Sequence, residues 1–353
     1  MSGTYVKLYA ATGAADSVYF LSEGSVYFYL SNVDKYAISG SNLIIGATEI
    51  IMSRLLDTDT GRIETAVAEG SSAVKRIPIE KFMPGLATYS FALNVAMVLA
   101  KQVLLTGQIL QKNMDDLEGE EKKTREYAVA YYTIIDRLRQ EYDKRRLPWL
   151  KDLIEEYADT LTNKKGEAYC KSTEAATMTT VAALSEMDVE YQRGSVICEE
   201  DTPGSEMYIL KSGAIDVIMK GSRISSIDQA GTVIGETALL LGEKRAATLK
   251  AKNTVVLTRI RKEDLKSVAE KQKDFLTSIA TTLARRHYYN VARIEAVNKS
   301  LAEQLFDKEA AGGDRRAVLS HRAHHDLNQL KNRLEDIVME KKADFLDDMM
   351  KSL

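Results

Sequence analysis

Two kinds of hydrophobic pattern alternate along the chain, and each predicts a different type of element. Between residues 188 and 260, short apolar runs are separated by turn residues such as Gly194, Gly204 and Gly213. These runs predict strands at 191–198, 206–219, 246–249 and 255–260. Several short strands separated by turns are typical of a small antiparallel barrel or jelly roll.

Elsewhere the apolar residues recur at helical spacings of three, four and seven. This spacing predicts helices over residues 82–117, 127–142, 149–161, 265–283 and 319–353. The charged run at 118–124 marks a boundary after the first of them, and residues 163–166, which end in Gly166, are expected to close the third. The chain is therefore expected to combine antiparallel sheets with long helices.

One stretch between two predicted strands carries the residue types that a small anionic ligand needs. Gly235 lets the backbone approach a ligand closely, and the amides that begin the short helix predicted at 237–241 point at a phosphate. Arg245 supplies a forked, permanently charged partner for two phosphate oxygens. Glu236 can accept a hydrogen bond from a ribose hydroxyl, and the intervening helix and loop keep this carboxylate away from the phosphate.

This stretch resembles the phosphate-binding cassette of the cyclic-nucleotide-binding domain, the family that includes catabolite activators and protein-kinase-A regulatory subunits. The resemblance rests on two motifs at the family's usual separation, Gly235-Glu236-Thr237-Ala238-Leu239 and Arg245-Ala246-Ala247-Thr248. Lys244 departs from the proline that many members have, so the loop tip is expected to be less rigid.

The resemblance implies a barrel fold and a role for each residue of the pocket. Glu236 would bind the ribose 2′-hydroxyl and Arg245 the cyclic phosphate, beside the close backbone approach at Gly235. The backbone amides of Ala238 and Ala246 would complete the phosphate cradle. In the family, Thr or Ser at the position of Ala246 favours guanine, so the resemblance implies cyclic AMP rather than cyclic GMP.

The helix that follows the barrel is the moving part in the resembled family and folds over the bound base. Tyr288 and Tyr289 could stack on a purine as a lid, with simple packing as the alternative. Arg285, Arg286 and Arg293 form a small basic patch, which is interpreted as a solvated helix face.

The N-terminal residues repeat the same pattern. Gly24 and Gly46 have the same separation along the chain as Gly213 and Gly235. Further on, an isoleucine follows Arg62 at the same sequence distance at which an isoleucine follows Arg245 in the cassette. This shared register predicts an internal repeat of two barrels.

The N-terminal copy differs where the ligand would bind. Its acid, Glu49, stands two positions later than the cassette acid, and the segment between the glycine and Arg62 is longer than its counterpart in the cassette. Ile63 and Glu64 then place a bulky residue and a carboxylate near the phosphate position. We interpret this copy as degenerate and kept for scaffolding or dimer contacts; a site retuned for another ligand is the alternative.

Composition narrows the classes of function and compartment. A chain of 353 residues with a net charge of −3 has no electrostatic footprint for nucleic acid or an anionic membrane. Cys170 and Cys198 make no disulfide framework and are expected to be reduced, as in a cytoplasmic protein without a signal peptide. The apolar run 86–110 contains Asn94 and Lys101, so we expect a buried or self-associating helix rather than a membrane span.

No sequence motif indicates catalysis or a metal. The chain lacks a Walker loop, a kinase signature and the motifs of serine and zinc hydrolases. His321, His324 and His325 have no cysteine or carboxylate cluster at ligand spacing and are expected on a surface helix. About 40 residues follow Gly313, too few for a winged helix-turn-helix module.

The leading hypothesis is an α+β protein with two antiparallel barrels of the jelly-roll type, joined and followed by long helices. Its expected segments are a degenerate barrel at 1–110, a helical connector at 111–175, a cyclic-nucleotide-binding domain at 176–300 and a helical tail at 301–353. The expected function is a non-enzymatic, cytoplasmic receptor for a cyclic mononucleotide, without cofactor or metal. It would act as a homodimer on an unidentified protein partner. An atypical DNA-binding regulator and a structural protein without ligand are the alternatives.

Overall fold

The computed structural model describes residues 5–69, 74–117, 119–170, 186–219, 221–309, 313–341 and 343–351. The chain forms two compact units. Met1–Gln108 and Glu174–Val291 make up one, which we call the sheet unit, and Ile109–Thr173 and Ala292–Leu353 make up the other, the helical unit. The four segments predicted from the sequence stay a prediction, and their boundary at 175/176 lies outside the described residues.

The N-terminal part of the sheet unit is an antiparallel sheet with helices around it. Its strands are β1 (Tyr5–Tyr9), β2 (Ser17–Tyr29), β3 (Lys35–Ile45), β4 (Thr65–Glu69) and β5 (Val74–Pro78). The order is β1-β4-β2-β3, with β5 also paired to β2. Its helices are α1 (Thr48–Leu55), α2 (Ile79–Gly85) and α3 (Tyr89–Asp115). In β2, the alternate residues Val26 and Phe28 are fully buried, as expected for a strand with one face on a core.

Three helices of the helical unit follow, α4 (Gly119–Arg145), α5 (Pro148–Ala158) and α6 (Leu161–Cys170). The boundary predicted at the charged run 118–124 is confirmed, since α3 ends at Asp115 and α4 begins at Gly119, although most of the run belongs to α4. A second predicted boundary is wrong, because residues 163–166 do not close a helix but lie inside α6. The reason is packing: a Cβ at Gly166 would lie 2.0 Å from the carbonyl oxygen of Ala128 in α4, so this glycine allows the two helices to approach closely.

The second half of the sheet unit contains two four-stranded antiparallel sheets. Their strands are β6 (Asp188–Tyr191), β7 (Val196–Cys198), β8 (Glu206–Ser212), β9 (Ile215–Met219), β10 (Ser222–Ile227), β11 (Val233–Ile234), β12 (Thr248–Ala251) and β13 (Val255–Arg261). One sheet has the order β10-β9-β12-β7 and the other β11-β8-β13-β6. Their shared core includes Tyr208, Leu210, Leu249 and Leu257. Between β11 and β12 lies the short helix α7 (Glu236–Leu241). The prediction of antiparallel sheets is confirmed, although the polar strand β10 was not foreseen.

The remaining helices are α8 (Leu265–Lys271), α9 (Phe275–Glu309), α10 (Gly313–Lys341) and α11 (Asp344–Lys351). In the helical unit, α4, α5, α10 and α11 enclose a core that includes Ile135, Leu138, Leu330 and Leu334. His321, His324 and His325 are exposed on α10. Among the described residues, no group of three or more potential metal ligands comes together.

A common core joins both halves of the sheet unit. It contains Ile50 and Ile51 of α1, Leu239 of α7, and apolar residues of α3 and α9 such as Leu99 and Leu283. Among the described residues, α3 is the one helix with the length and hydropathy of a membrane span, and 44% of that apolar window is buried inside the protein. A core helix passes the same test, and α3 contributes to this core. Residues of α1, α7 and α9 therefore contribute to the same core.

Candidate functional site

Gly235 forms the corner between β11 and α7. Its φ of +80° lies in the left-handed region, which glycine adopts without strain. The guanidinium of Arg245 packs against this corner, with Nη1 3.4 Å from the carbonyl oxygen of Gly235. A Cβ at position 235 would lie 2.1 Å from the same Nη1. Glycine is therefore required here both for the backbone conformation and for the placement of the arginine.

Arg245 is almost fully buried, with 5% of its surface exposed. Its Nη2 donates to the carbonyl oxygen of Glu206 in β8, and the guanidinium lies 5.6 Å from the ring centre of Tyr208. Within the described part of the chain, its buried Nε has no hydrogen-bond partner. A buried donor without a partner costs about 1–3 kcal/mol, so this cation is positioned but not fully satisfied.

The loop that precedes β8 holds the backbone of the cassette in place. The amide of Arg245 donates to the carbonyl of Thr202 at 2.8 Å, and its own carbonyl accepts the amide of Asp201 at 2.9 Å. Gly204 packs directly on α7, since a Cβ there would lie 2.3 Å from the Cβ of Ala238. From the sequence alone Gly204 is predicted only as a turn residue, because such a contact between distant segments has no local signal.

Glu236 begins α7 and is fully buried. Its Oε1 forms an ion pair with Nη1 of Arg286 in α9, and Nη2 of Arg286 donates to the carbonyl of Val233 at 3.0 Å. Its Oε2 is buried without a partner among the described residues. The interpretation of Arg286 as part of a solvated helix face is wrong, because only 29% of its side chain is exposed while it neutralises this carboxylate.

The other predicted site residues have different surroundings. Ala238 is buried in α7, whereas Ala246 is exposed directly after Arg245. Tyr288 and Tyr289 are half-buried on α9, with ring centres 5.4 Å apart at 76°. The guanidinium of Arg285 lies 5.9 Å from the ring centre of Tyr289. The lid role of the two tyrosines stays a prediction.

The N-terminal arginine occupies a similar corner. Gly46 has a φ of +83°, and Nη1 of Arg62 donates to its carbonyl oxygen at 2.7 Å. Nη2 of Arg62 donates to the carbonyl of Ser17 in β2. In contrast to Arg245, however, Arg62 has an anionic partner: Nη1 lies 3.0 Å from Oε2 of Glu49, and both side chains are 1% exposed. Oε1 of Glu49 accepts the backbone amide of Ile63 at 3.0 Å.

A buried polar network surrounds the next acid of this corner, Glu64. Its carboxylate accepts a hydrogen bond from Tyr36 Oη at 2.7 Å and another from Nε2 of Gln102 at 2.9 Å. His287 of α9 is also fully buried. Its Nε2 lies 3.1 Å from Tyr36 Oη, and its Nδ1 lies 2.8 Å from Thr48 Oγ1. Burial, followed by the neighbouring Glu64 carboxylate, raises the pKa of Tyr36 well above its usual value. The network thus keeps the phenol protonated as a donor to Glu64.

The geometry agrees with a family match. Residues 188–272, which span β6 to α8 and include the cassette, match the family model described as cyclic nucleotide-binding domain. The chain therefore contains a cyclic nucleotide-binding domain at these residues.

Curated relatives resemble only parts of the chain. A cGMP-dependent protein kinase of Toxoplasma gondii is 34% identical over 64 residues, which are 18% of this chain and 6% of that protein. Potassium/sodium hyperpolarization-activated cyclic nucleotide-gated channel 2 of Homo sapiens is 26% identical over 148 residues, 42% of this chain and 14% of the channel. The chain thus covers a small part of the length of these relatives.

Among solved structures, cAMP-bound PfPKA-R is 16% identical, and the alignment covers 78% of this chain and 76% of that one with a TM-score of 0.23. A structure described as Sp-2Cl-cAMPS bound to PKAR CBD2 is 26% identical over 27% of this chain and 66% of that one, with a TM-score of 0.24. Both TM-scores lie below 0.5, so the assignment rests on the family match at residues 188–272.

Proposed function

We propose that the protein is a non-enzymatic receptor for a cyclic mononucleotide, which binds in the cassette between β11 and β12. Arg245 binds the cyclic phosphate and Glu236 the ribose 2′-hydroxyl. Gly235 and the backbone amides of Ala238 and Ala246 complete the phosphate cradle. The chain's own groups supply this pocket, and no cofactor or metal is part of the proposal.

One observation carries the proposal: among the described residues the buried guanidinium of Arg245 has no carboxylate partner, unlike that of Arg62, and Oε2 of the buried Glu236 has no hydrogen-bond partner. A buried charge without a partner and a buried unpaired acceptor both need an explanation. A ligand that offers both an anion and a hydroxyl group would satisfy the two side chains together. A cyclic nucleotide carries these groups on adjacent parts of one sugar–phosphate ring.

The proposed base preference is cAMP over cGMP. Ala246 follows the phosphate-binding arginine and has no hydroxyl that could donate to or accept from guanine. Tyr288 and Tyr289, which follow Arg286 on α9, are proposed to cover the base. Their half-buried position leaves part of each ring able to contact a ligand.

We further infer that the N-terminal sheet with α1 is a second copy of the cassette domain. Three features support the repeat: the positive φ of Gly46 and Gly235, the bond from each arginine to its glycine carbonyl, and the second bond to the first residue of a matching strand. Those first residues, Ser17 of β2 and Glu206 of β8, are in the same register in the sequence repeat. Because Glu49 already pairs with Arg62, we propose that this copy does not bind nucleotide.

The proposed output passes through α9. Arg286 on this helix pairs with Glu236, so a ligand that hydrogen-bonds to Glu236 contacts the same carboxylate that holds α9. Helix α9 belongs to the sheet unit up to residue 291 and to the helical unit from residue 292 onward. A shift of α9 would thereby alter the contact with an unidentified protein partner. A homodimer and a cytoplasmic location remain part of this proposal.

A calorimetric titration with cAMP, cGMP and a cyclic dinucleotide tests the proposal. We expect saturable binding of cAMP, weaker binding of cGMP, and one mononucleotide site per chain. If neither cAMP nor cGMP binds, the receptor function is contradicted. Two equivalent sites per chain contradict the proposed division between the copies.

A further inference from the structure

The two arginines of the sheet unit are held in the same way but face different surroundings. Each donates Nη1 to the carbonyl of a left-handed glycine and Nη2 to the carbonyl of the first residue of a long strand. At both arginines the remaining Nε of the guanidinium is unpaired among the described residues, and Arg245 has no carboxylate partner there. At Arg62, a carboxylate of the chain itself lies against Nη1.

We propose that the N-terminal corner is an anion site whose ligand is built into the chain, the carboxylate of Glu49. This carboxylate contacts two donors, Nη1 of Arg62 at 3.0 Å and the backbone amide of Ile63 at 3.0 Å. The corresponding donors of the other copy are the guanidinium of Arg245 and the amide of Ala246, which the proposed function assigns to the phosphate. The comparison with a phosphate therefore rests on the proposed function, whereas the contacts of Glu49 do not.

The position of Glu49 in the sequence explains how it reaches these donors. It lies three residues after Gly46, in the first turn of α1, instead of directly after the glycine as Glu236 does. From there its side chain spans the corner and is 1% exposed, as is that of Arg62. The ring of Tyr9 covers one face of the guanidinium, with its centre 4.3 Å from Cζ. The corner thus holds a desolvated cation and anion that neutralise each other.

The built-in ligand has a structural consequence for α9. Thr48, the neighbour of Glu49 in α1, hydrogen-bonds to His287 of α9 at 2.8 Å. The internal ion pair holds α1 in position, and α1 in turn contacts α9 next to Arg286, the residue that pairs with the cassette acid. The N-terminal corner therefore acts as a permanently occupied site that fixes one side of α9 at any nucleotide concentration.

Glu49→Ala tests this inference by vacating the site. The substitution keeps Cβ and removes Cγ, Cδ and the two carboxylate oxygens. These four atoms correspond to the heavy atoms of acetate, so acetate can occupy the vacated space. We expect the thermal unfolding midpoint of the sheet unit to fall by about 5–15 °C and hydrogen exchange at the Ile63 amide to accelerate. Acetate at about 0.1 M should recover at least about 2 °C over sodium chloride of equal ionic strength and slow the exchange at Ile63 again.

Two control variants make the test specific. Glu49→Gln keeps the volume of the side chain, so it should lose stability without any response to acetate. Glu80→Ala removes an exposed carboxylate and should behave as the wild-type protein in both salts. If Glu49→Ala does not fold, Glu49→Asp replaces it, and the shorter carboxylate should retain more protection at Ile63 than the isosteric amide.

The inference is overturned if Glu49→Ala keeps the wild-type midpoint and Ile63 protection, or if acetate has no more effect than chloride. It is also overturned if Glu49→Asp protects Ile63 no better than Glu49→Gln. None of these measurements uses a nucleotide. Failure of the built-in ligand therefore leaves the receptor function standing, and absence of nucleotide binding leaves the built-in ligand standing.

Discussion

Arg286 of α9 forms an ion pair with Glu236, the acid that we propose to accept a hydrogen bond from a ribose hydroxyl. The carboxylate is fully buried, and its Oε1 is bound to the arginine while Oε2 has no partner in the described part of the chain. A ligand hydroxyl can therefore bind Oε2 without breaking the ion pair. This arrangement connects the proposed ligand contact at Glu236 to α9.

Replacement of Arg286 by Ala should destabilise the sheet unit. The substitution leaves the carboxylate of Glu236 buried without its cation, which costs about 2–4 kcal/mol, allowing for the exposed part of the arginine. Differential scanning calorimetry should show a lower midpoint for the sheet unit. Arg286→Lys keeps the charge and should lose less.

The pairing itself is tested by a second substitution in the same background. Glu236→Gln combined with Arg286→Ala removes both charges and should be less destabilised than Arg286→Ala alone. Equal midpoints for the single and the double variant would show that the buried charge of Glu236 does not depend on Arg286.

The ribose contact can be isolated by changing the protein and the ligand together. A hydrogen bond to a charged group contributes about 1.5–3 kcal/mol, so 2′-deoxy-cAMP should bind about 10- to 150-fold more weakly than cAMP. In Glu236→Ala the acceptor is gone, and the two ligands should differ by less than about 3-fold.

Glu263→Ala, at an exposed position of the same domain, is the matched control and should keep the wild-type difference between the two ligands. The measurement is competition with a fluorescent cAMP analogue. An unchanged preference for cAMP in Glu236→Ala would assign the 2′-hydroxyl to another residue.

Local sequence patterns were sufficient for some features of the molecule and not for others. Antiparallel sheets with helices could be predicted because strand and helix periodicities are local. Gly235 and Arg245 were placed in one site because they belong to one short motif, and the structure has them in contact. Their role in ligand binding stays a prediction.

Features that depend on distant segments could not be predicted in this way. Arg286 is 50 residues from Glu236, and its ion pair leaves no periodic trace in the sequence. Glu49 was recognised as a displaced acid, but its bond to Arg62 requires the three-dimensional path of the loop between them. Gly166 carries the signal of a helix end, although the close approach of two helices is what requires it.

The packing at Gly166 gives a further prediction. Ala in place of Gly166 would bring its Cβ to 2.0 Å from the carbonyl oxygen of Ala128 and force α6 away from α4. Overpacking of this kind costs about 1–3 kcal/mol. Urea unfolding followed by the fluorescence of Trp149, the single tryptophan, reports on the helical unit.

Gly119→Ala provides a comparison, because a Cβ at Gly119 meets no atom within 4 Å among the described residues, although its φ of +53° adds backbone strain. A stability of Gly166→Ala equal to or above that of the wild-type protein would show that the two helices can separate without cost.

The most direct test of the account is calorimetric binding of cAMP to the wild-type protein, to Arg245→Ala and to Arg193→Ala. Arg193 is an exposed arginine of the same domain and serves as the matched control. Removal of the phosphate's buried partner should cost about 2–5 kcal/mol, or about 30- to 3,000-fold in affinity, while Arg193→Ala binds as the wild type does. Wild-type affinity in Arg245→Ala would contradict the account.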